Sequence, residues 1–322
     1  MTDQNPPGQD PDNIAFEQAF ASEIAREFLK EQRRTRRWGI FFKLLLALYV
    51  FGFFAIYLAG RMDLDPAGLG DNNHTALIEI SGAIGAESEA SADNIVSGLR
   101  AAFKHENTAG IILRINSPGG SPVQAGYIND EIYRLRAEHP DIPVYAVISD
   151  ICASGGYYIA SAAEKIYADK ASLVGSIGVI MAGFGFVDTI EKLGIERRVR
   201  HAGDNKSFMD PFVPLKEEEV AHVDTMLNDI YEQFKQVVKK GRGDRLKDDT
   251  AVFSGLIWTG EKAIELGLVD ELASSSHVAR EVIGAEEIVN FSHKPNYLDR
   301  FTSSLGASVS RTLIEMINFK LN

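Results

Sequence analysis

Residues 38–60 read W-G-I-F-F-K-L-L-L-A-L-Y-V-F-G-F-F-A-I-Y-L-A-G, and this run decides how the rest of the 322-residue chain can be divided. Ile40 to Ala59 is 20 residues. At about 1.5 Å per residue, a helix of that length spans the roughly 30 Å hydrocarbon layer of a bilayer. Lys43 is the only charge inside it, close enough to one end to reach the interface. A core helix of a soluble protein rarely stays apolar on every face for so long. The run is therefore expected to cross a membrane once. Lys30, Arg33, Arg34, Arg36 and Arg37 precede it, whereas Arg61 beyond it is followed by Asp63 and Asp65. The positive-inside rule puts the N-terminus in the cytoplasm and everything after residue 60 on the periplasmic or extracytoplasmic side of the inner membrane. A cleaved signal peptide fits less well, because the preceding region is long and no A-x-A site closes the run.

The expected organisation follows. Residues 1–37 form a polar and basic segment, 38–60 the transmembrane helix, and 61–74 a linker carrying Pro66, Gly68 and Gly70. A single folded domain occupies 75–291, and 292–322 is a tail that is a candidate amphipathic helix. Of the net charge of −12, the first 61 residues contribute +1, so the exported part is acidic at −13. That argues against a nucleic-acid partner, which would call for a basic face. One cysteine, Cys152, rules out an intramolecular disulfide or a cysteine-based zinc site. The seven histidines show no H-E-x-x-H spacing, so neither a metal nor another cofactor is expected.

Within the domain, strands and helices alternate. Ala76–Ile80, Gly110–Ile115 and Val144–Ile148 are short β-branched runs that read as strands. Between the first two, Ser91 can cap a helix whose Ile95, Leu99 and Phe103 recur at i, i+4, i+8. Between the second and third, Val123–Ala137 is helical, with Ile128, Ile132 and Leu135 on one face. This alternation predicts an α/β fold with a mostly parallel sheet. Lys216–Lys240 is a further helix, and its Val220, Val223, Leu227, Ile230, Phe234 and Val237 face a core or another subunit. The basic turn after it, Arg242-Gly243-Asp244-Arg245, reads as solvated or as a partner contact.

Two glycine-containing loops follow successive strands. In I-C-A-S-G-G-Y-Y-I-A, Ile151 to Ala160, Ser154 stands where a strand gives way to a small, apolar helix over Gly156–Ala163. A hydroxyl there lies among amides that have no helical partner, and Gly155 and Gly156 leave room for a carbonyl to approach them. A nucleophile with half of an oxyanion hole requires those features. A plain N-cap would use the same serine. In N-S-P-G-G-S, Asn116 to Ser121, Pro118 and the paired Gly119 and Gly120 make either a simple turn or a second source of free amides at the same sheet edge.

Five ordered motifs carry a family resemblance. R-I-N-S-P-G-G at 114–120, A-S-G-G-Y-Y-I-A at 153–160, L-V-G-S-I-G-V at 173–179, A-G-D-N-K-S at 202–207 and W-T-G-E-K-A-I-E-L-G-L-V-D at 258–270 resemble the signal peptide peptidase A family in its short form. The resemblance spans about Ala76 to Leu272 and implies the Clp protease and crotonase fold, built of repeated ββα units in one catalytic domain. It implies a membrane-anchored serine endopeptidase with a Ser154/Lys206 dyad, Ser176 holding the lysine amine, and Gly155 with Gly119 or Gly120 forming the oxyanion hole. It also implies a homo-oligomeric ring or dome that acts on cleaved signal peptides or other unfolded apolar peptides. Seen alone, Lys206 would be an ordinary solvated lysine. A lysine base has to be desolvated: free lysine titrates near 10.4, and lowering that by about 3 pH units costs about 4 kcal/mol.

Other features compete with this reading. Cys152 is two residues from Ser154 and is expected on the packed side of the turn. Gly255 to Lys262 is a near-miss of a phosphate loop, with Glu261 where the lysine belongs. A crotonase-like acyl-CoA enzyme and a catalytically silent membrane scaffold are the alternative functions. The exported topology weighs against the first, and the presence of both dyad residues weighs against the second.

Overall fold

In a computed structural model, residues 32–34, 36–55, 72–247 and 250–292 are described, together with Arg26 and Lys30. The expected N-terminal segment, most of the linker and nearly all of the tail lie outside the described residues. Helix α1, Gln32–Ala55, is long and apolar enough to cross a membrane, and none of its most apolar stretch is buried by protein. The expected span runs four residues further, to Ala59, beyond the described part of the helix. The rest of the description concerns the unit from residue 72 onward.

Its backbone is a parallel sheet. Strand β1 (His74–Ser81) leads through α2 (Ala92–Lys104) to β2 (Thr108–Ser117), and α3 (Pro122–Glu138) leads to β3 (Val144–Ala153). Ser91 caps α2, accepting a hydrogen bond from the Asn94 amide. Ile95, Leu99 and Phe103 are buried on the sheet-facing side, each contributing about 1.5–3 kcal/mol relative to exposure. Ser121 caps α3 in the same way, and Pro122 occupies the first turn, where its missing N–H costs nothing. The apolar side chains of α2, α3 and the short α4 (Gly155–Ala160) fill one face of the sheet. On the other face a small cluster of Leu77, Ile112, Val147 and Tyr167 packs on Val278 and Ala279.

The third strand is longer than its sequence suggests. The run Val144–Ile148 pairs in register with β2, and pairing then resumes at Ser117↔Cys152 after an irregularity. Asn116 spans the irregularity: its Nδ2 donates to Asp150 Oδ2 at 2.9 Å, and its Oδ1 accepts from the Ile151 amide at 3.3 Å. Beyond it β3 continues to Ala153. The polar Ser149 and Asp150 mask this continuation in the sequence.

Two short strands then share the far edge of β3. Its first half pairs with β4 (Lys165–Ala168) and its second half with β5 (Leu173–Gly175), both parallel. Strand β6 (Ile257–Thr259) adds to β5 antiparallel and leads into α7 (Gly260–Glu265). Strand β7 (Glu271–Leu272) adds to β4. Helix α8 (Ser275–His277) continues as a π-helical turn before β8 (Ile288–Asn290), which closes the other edge against β1.

Between β5 and α6 (Glu217–Arg242) runs a long, little-packed segment containing only α5 (Val187–Lys192), which has no buried residue. Within the chain the expected stripe of α6 is only partly covered. Val223 and Phe234 are buried, but Val220 is exposed, and the C-terminal end is anchored by Val238 and Arg242. The reading of Arg242 as solvated or as a partner contact is overturned. Its side chain is 1% exposed, forks onto both carboxylate oxygens of Asp270 at 2.8 and 2.9 Å, and donates from Nε to Gly267 O. Asp270 also accepts from the Ile166 amide, so the bidentate pair ties α6 to the sheet. Arg245 is likewise engaged, donating to the carbonyls of Arg242, Glu164 and Gly241.

Candidate active site

Ser154 ends β3 and starts α4 with φ +51° and ψ −120°. A non-glycine residue held at positive φ costs about 1–3 kcal/mol. Nothing local recovers that cost, because Ser154 makes no side-chain capping hydrogen bond. The plain N-cap reading therefore fails. What fixes the backbone is the sheet: the Ser154 amide donates to Gly175 O at 2.9 Å, and Tyr158 N closes the first helical turn onto Ser154 O at 3.0 Å. Cys152 is fully buried, and burial pushes its thiol well above the ordinary cysteine range, so it lies in the core as expected and is no nucleophile.

The second glycine loop lies directly against this turn. A Cβ on Gly119, whose φ is +101°, would come within 2.7 Å of Ser154 Cβ and 2.8 Å of both Ala153 O and Gly155 N. A Cβ on Gly120, at φ +147°, would overlap the carbonyl of Ile84. Both positions need glycine for space and for backbone conformation. The loop is held by Ile84, whose amide donates to Gly119 O at 2.9 Å while its carbonyl accepts from Ser121 N at 2.9 Å.

The two glycine amides differ in what they bond. Gly119 N donates to Ser117 Oγ at 3.1 Å, and that hydroxyl donates to Gly82 O at 2.6 Å. Among the described residues, the amides of Gly120 and Gly155 have no acceptor. They are also near each other, since a Cβ on Gly155 would sit 3.3 Å from Gly120 N. Two unspent N–H groups therefore flank the Ser154 turn, and Gly119 is not one of them. Ser117 stands inside the motif R-I-N-S-P-G-G, yet its part in choosing between the glycines was not read from the sequence.

Ser176 leaves the sheet beside Ser154. Strands β3 and β5 are in register at Ala153↔Gly175, so Ser154 and Ser176 are the next residue on each. Both have positive φ, 51° and 52°. The Ser176 amide is held by Leu256 O at 2.8 Å. Lys206 is not bonded to either serine. It is exposed, in the turns between α5 and α6, and among the described residues no hydrogen bond or ion pair joins it to Ser154 or Ser176.

A cleft of about 420 Å³ opens beside Ser154. Helix α3 contributes Val123, Gly126, Tyr127 and Asp130, α4 contributes Tyr158, α6 contributes Ile230, Gln233 and Phe234, and the chain after β5 contributes Gly178 to Ile180. Among the described residues no three His, Cys, Asp or Glu side chains gather as a metal site.

A serine without local partners, two free amides next to it and an apolar cleft alongside are the parts of an acyl-transfer site on an α/β sheet. Comparison with known sequences gives the same class. The model of peptidase family S49 matches residues 136–288. A putative protease of Synechocystis, slr0021, is 34% identical over 200 residues, which cover 62% of this chain and 69% of that protein. The chain belongs to peptidase family S49, whose fold is that of the Clp protease and crotonase group.

A putative signal peptide peptidase SppA of Enterococcus faecium is 33% identical over 182 residues, covering 56% of this chain and 52% of that protein. A Brucella melitensis protein named Na(+)/H(+) antiporter NhaA is 43% identical over 186 residues, covering 58% of this chain and 25% of that protein. The chain thus spans between a quarter and about half of the length of these two relatives.

Proposed function

We propose that this chain is a serine endopeptidase that α1 anchors in the inner membrane, with its folded domain on the outer side. One observation carries the reading: among the described residues the Ser154 hydroxyl has no partner, at a cost in backbone strain, next to the unbonded amides of Gly120 and Gly155. In the reaction Ser154 Oγ attacks a peptide carbonyl while its proton passes to a base. The developing oxyanion lies between the two amides, and the base returns the proton to the departing amine. The base is Lys206, and Ser176 holds its amine.

Within one chain Lys206 is exposed, and among the described residues no hydrogen bond joins it to Ser154. The dyad therefore closes when Lys206 arrives from the corresponding segment of a neighbouring copy. Exposed apolar groups on that segment support this, with Ile180 at 85% and Phe184 at 82% exposure. Burial on docking would also supply the desolvation that a lysine base requires. Substrates are unfolded apolar peptides, cleaved signal peptides among them, in keeping with the apolar walls of the cleft.

The test is a fluorophosphonate probe applied to the full-length protein in detergent. It should label the wild type at Ser154 and leave Ser154→Ala unlabelled. A wild type that takes up no probe and cleaves no peptide would leave the scaffold or acyl-CoA readings standing instead.

A further inference from the structure

Among the described residues, the cleft beside Ser154 has one charged lining residue, Asp130, and no ion pair is made to it. Val123, Gly126, Tyr127 and Asp130 recur at i, i+3, i+4 and i+7, so a single face of α3 forms one wall. The opposite wall is Ile230, Gln233 and Phe234 of α6, uncharged throughout, and the Phe234 ring packs on Tyr158 at 5.2 Å. Among the described residues no cation reaches Asp130. The nearest candidate on its own helix, Arg134, is spent on Glu131 and Glu138 at 2.6–2.8 Å. The Asp130 charge is felt inside the cleft, since after burial it is the second cause that raises the Tyr158 hydroxyl above the usual tyrosine range.

Length decides what can use this carboxylate. Asp130 lies eight residues into α3 from Pro122, about 12 Å along the axis from the end where Gly120 and Ser154 meet. A short apolar side chain of a peptide lying across Ser154 cannot approach it. A side chain with a long aliphatic stem and a cationic end can lay the stem along Val123, Tyr127 and Ile230 and bring its charge to the acid. Gly126 keeps the passage open: a Cβ there would meet nothing nearer than the Tyr158 hydroxyl at 4.0 Å.

We propose that this cleft selects substrates by seating a lysine or arginine side chain, with the stem between α3 and α6 and the charged end on Asp130. The inference rests on the hydrolase reading of Ser154. It narrows the substrate class to peptides in which a basic residue stands next to the apolar stretch being cut. Asp130 is then a specificity-determining residue of the cleft.

The experiment uses the full-length protein in detergent and a set of apolar peptides. Lysine, norleucine or glutamate is moved through the positions around the scissile bond, and kcat/KM is read for each. At one position the wild type should favour lysine over norleucine, its uncharged near-isostere, by roughly fivefold, as suits a partly exposed ion pair. Asp130→Asn should bring that ratio close to one, and Asp130→Lys should turn the preference toward glutamate at the same position. Asp130 is exposed, and among the described residues its side chain makes no hydrogen bond or ion pair, so folding is not at risk. Cleavage with a lysine-to-norleucine ratio that Asp130→Asn leaves unchanged, or with no lysine preference at any position, would overturn the proposal alone. No cleavage of any peptide, with no fluorophosphonate labelling, would overturn the hydrolase reading and this proposal with it.

Discussion

Ser154 and Lys206 divide the chemistry unequally. The serine is set in place by the sheet and held at positive φ, whereas the lysine is on the surface of its own chain. If Lys206 is the base, it must give up a proton near neutral pH, and arginine cannot. Lys206→Arg should therefore be as inactive toward a short apolar peptide as Lys206→Ala, a loss of at least about 10²-fold. The measurement is turnover at matched oligomeric state. Near-normal turnover by the arginine variant would remove Lys206 from the mechanism. The residues also show what single positions disclose. A-S-G-G announced Ser154 because a strand must turn there and glycines clear the approach. S-P-G-G by itself does not say which glycine amide is free, because the answer depends on how Ser117 Oγ is turned, and that is set by Gly82 O, 35 residues earlier in the chain.

At the scale of elements, α3 carries both the loop that supplies Gly120 and the wall that holds Asp130, so its seating on the sheet matters to the site. Glu131 helps to fix it. This carboxylate accepts from Arg100 of α2 at 2.7 Å and from Arg134 at 2.7 and 2.8 Å. Hydrogen bonding from Arg134 is the largest cause that holds it down to about 2, from an ordinary 4.5. A carboxylate lowered in the folded state stabilises fully above its unfolded pKa and loses that contribution as pH falls through its folded one. Acid should thus loosen the α2–α3 contact between about pH 4.5 and pH 2. Glu131→Gln should show a flatter fall of Tm over that window, and thermal melts of both proteins at stepped pH will show it. The three first strands and both capped helices were legible from their periodicity. Strand β3 beyond Ile148 was not, because the polar Ser149 and Asp150 interrupt the apolar run where the pairing is irregular. The seat of Arg242 was not either, because a buried arginine is readable only once its carboxylate partner is known.

For the whole molecule, the order of motifs foretold a parallel sheet with a site at its C-terminal edge, and the sheet is of that kind. The exposure of Lys206 was beyond any reading of one sequence, since it depends on how the 176–216 segment packs. If neighbouring copies exchange that segment, two dead variants should repair each other. In an equal mixture of Ser154→Ala and Lys206→Ala chains, about a quarter of the sites would combine an intact serine with an intact lysine. Co-expression should then return about that share of wild-type activity, while either variant alone stays inactive. No recovery in mixed oligomers of verified composition would place both dyad members on one chain.

The exposure of the lysine also bears on timing. The amides of Gly120 and Gly155 are fixed before any substrate arrives, but the proton acceptor is not. On the proposed reading, a newly inserted chain is inert: peptides and half-folded exported proteins can pass it unharmed while it is alone. Cutting begins when enough copies have met, so activity rises more steeply than the amount of protein made. Tethering by α1 confines those encounters to the plane of a membrane, where a few copies act as though concentrated. Released from the membrane and diluted, the same chains should fall silent without any inhibitor.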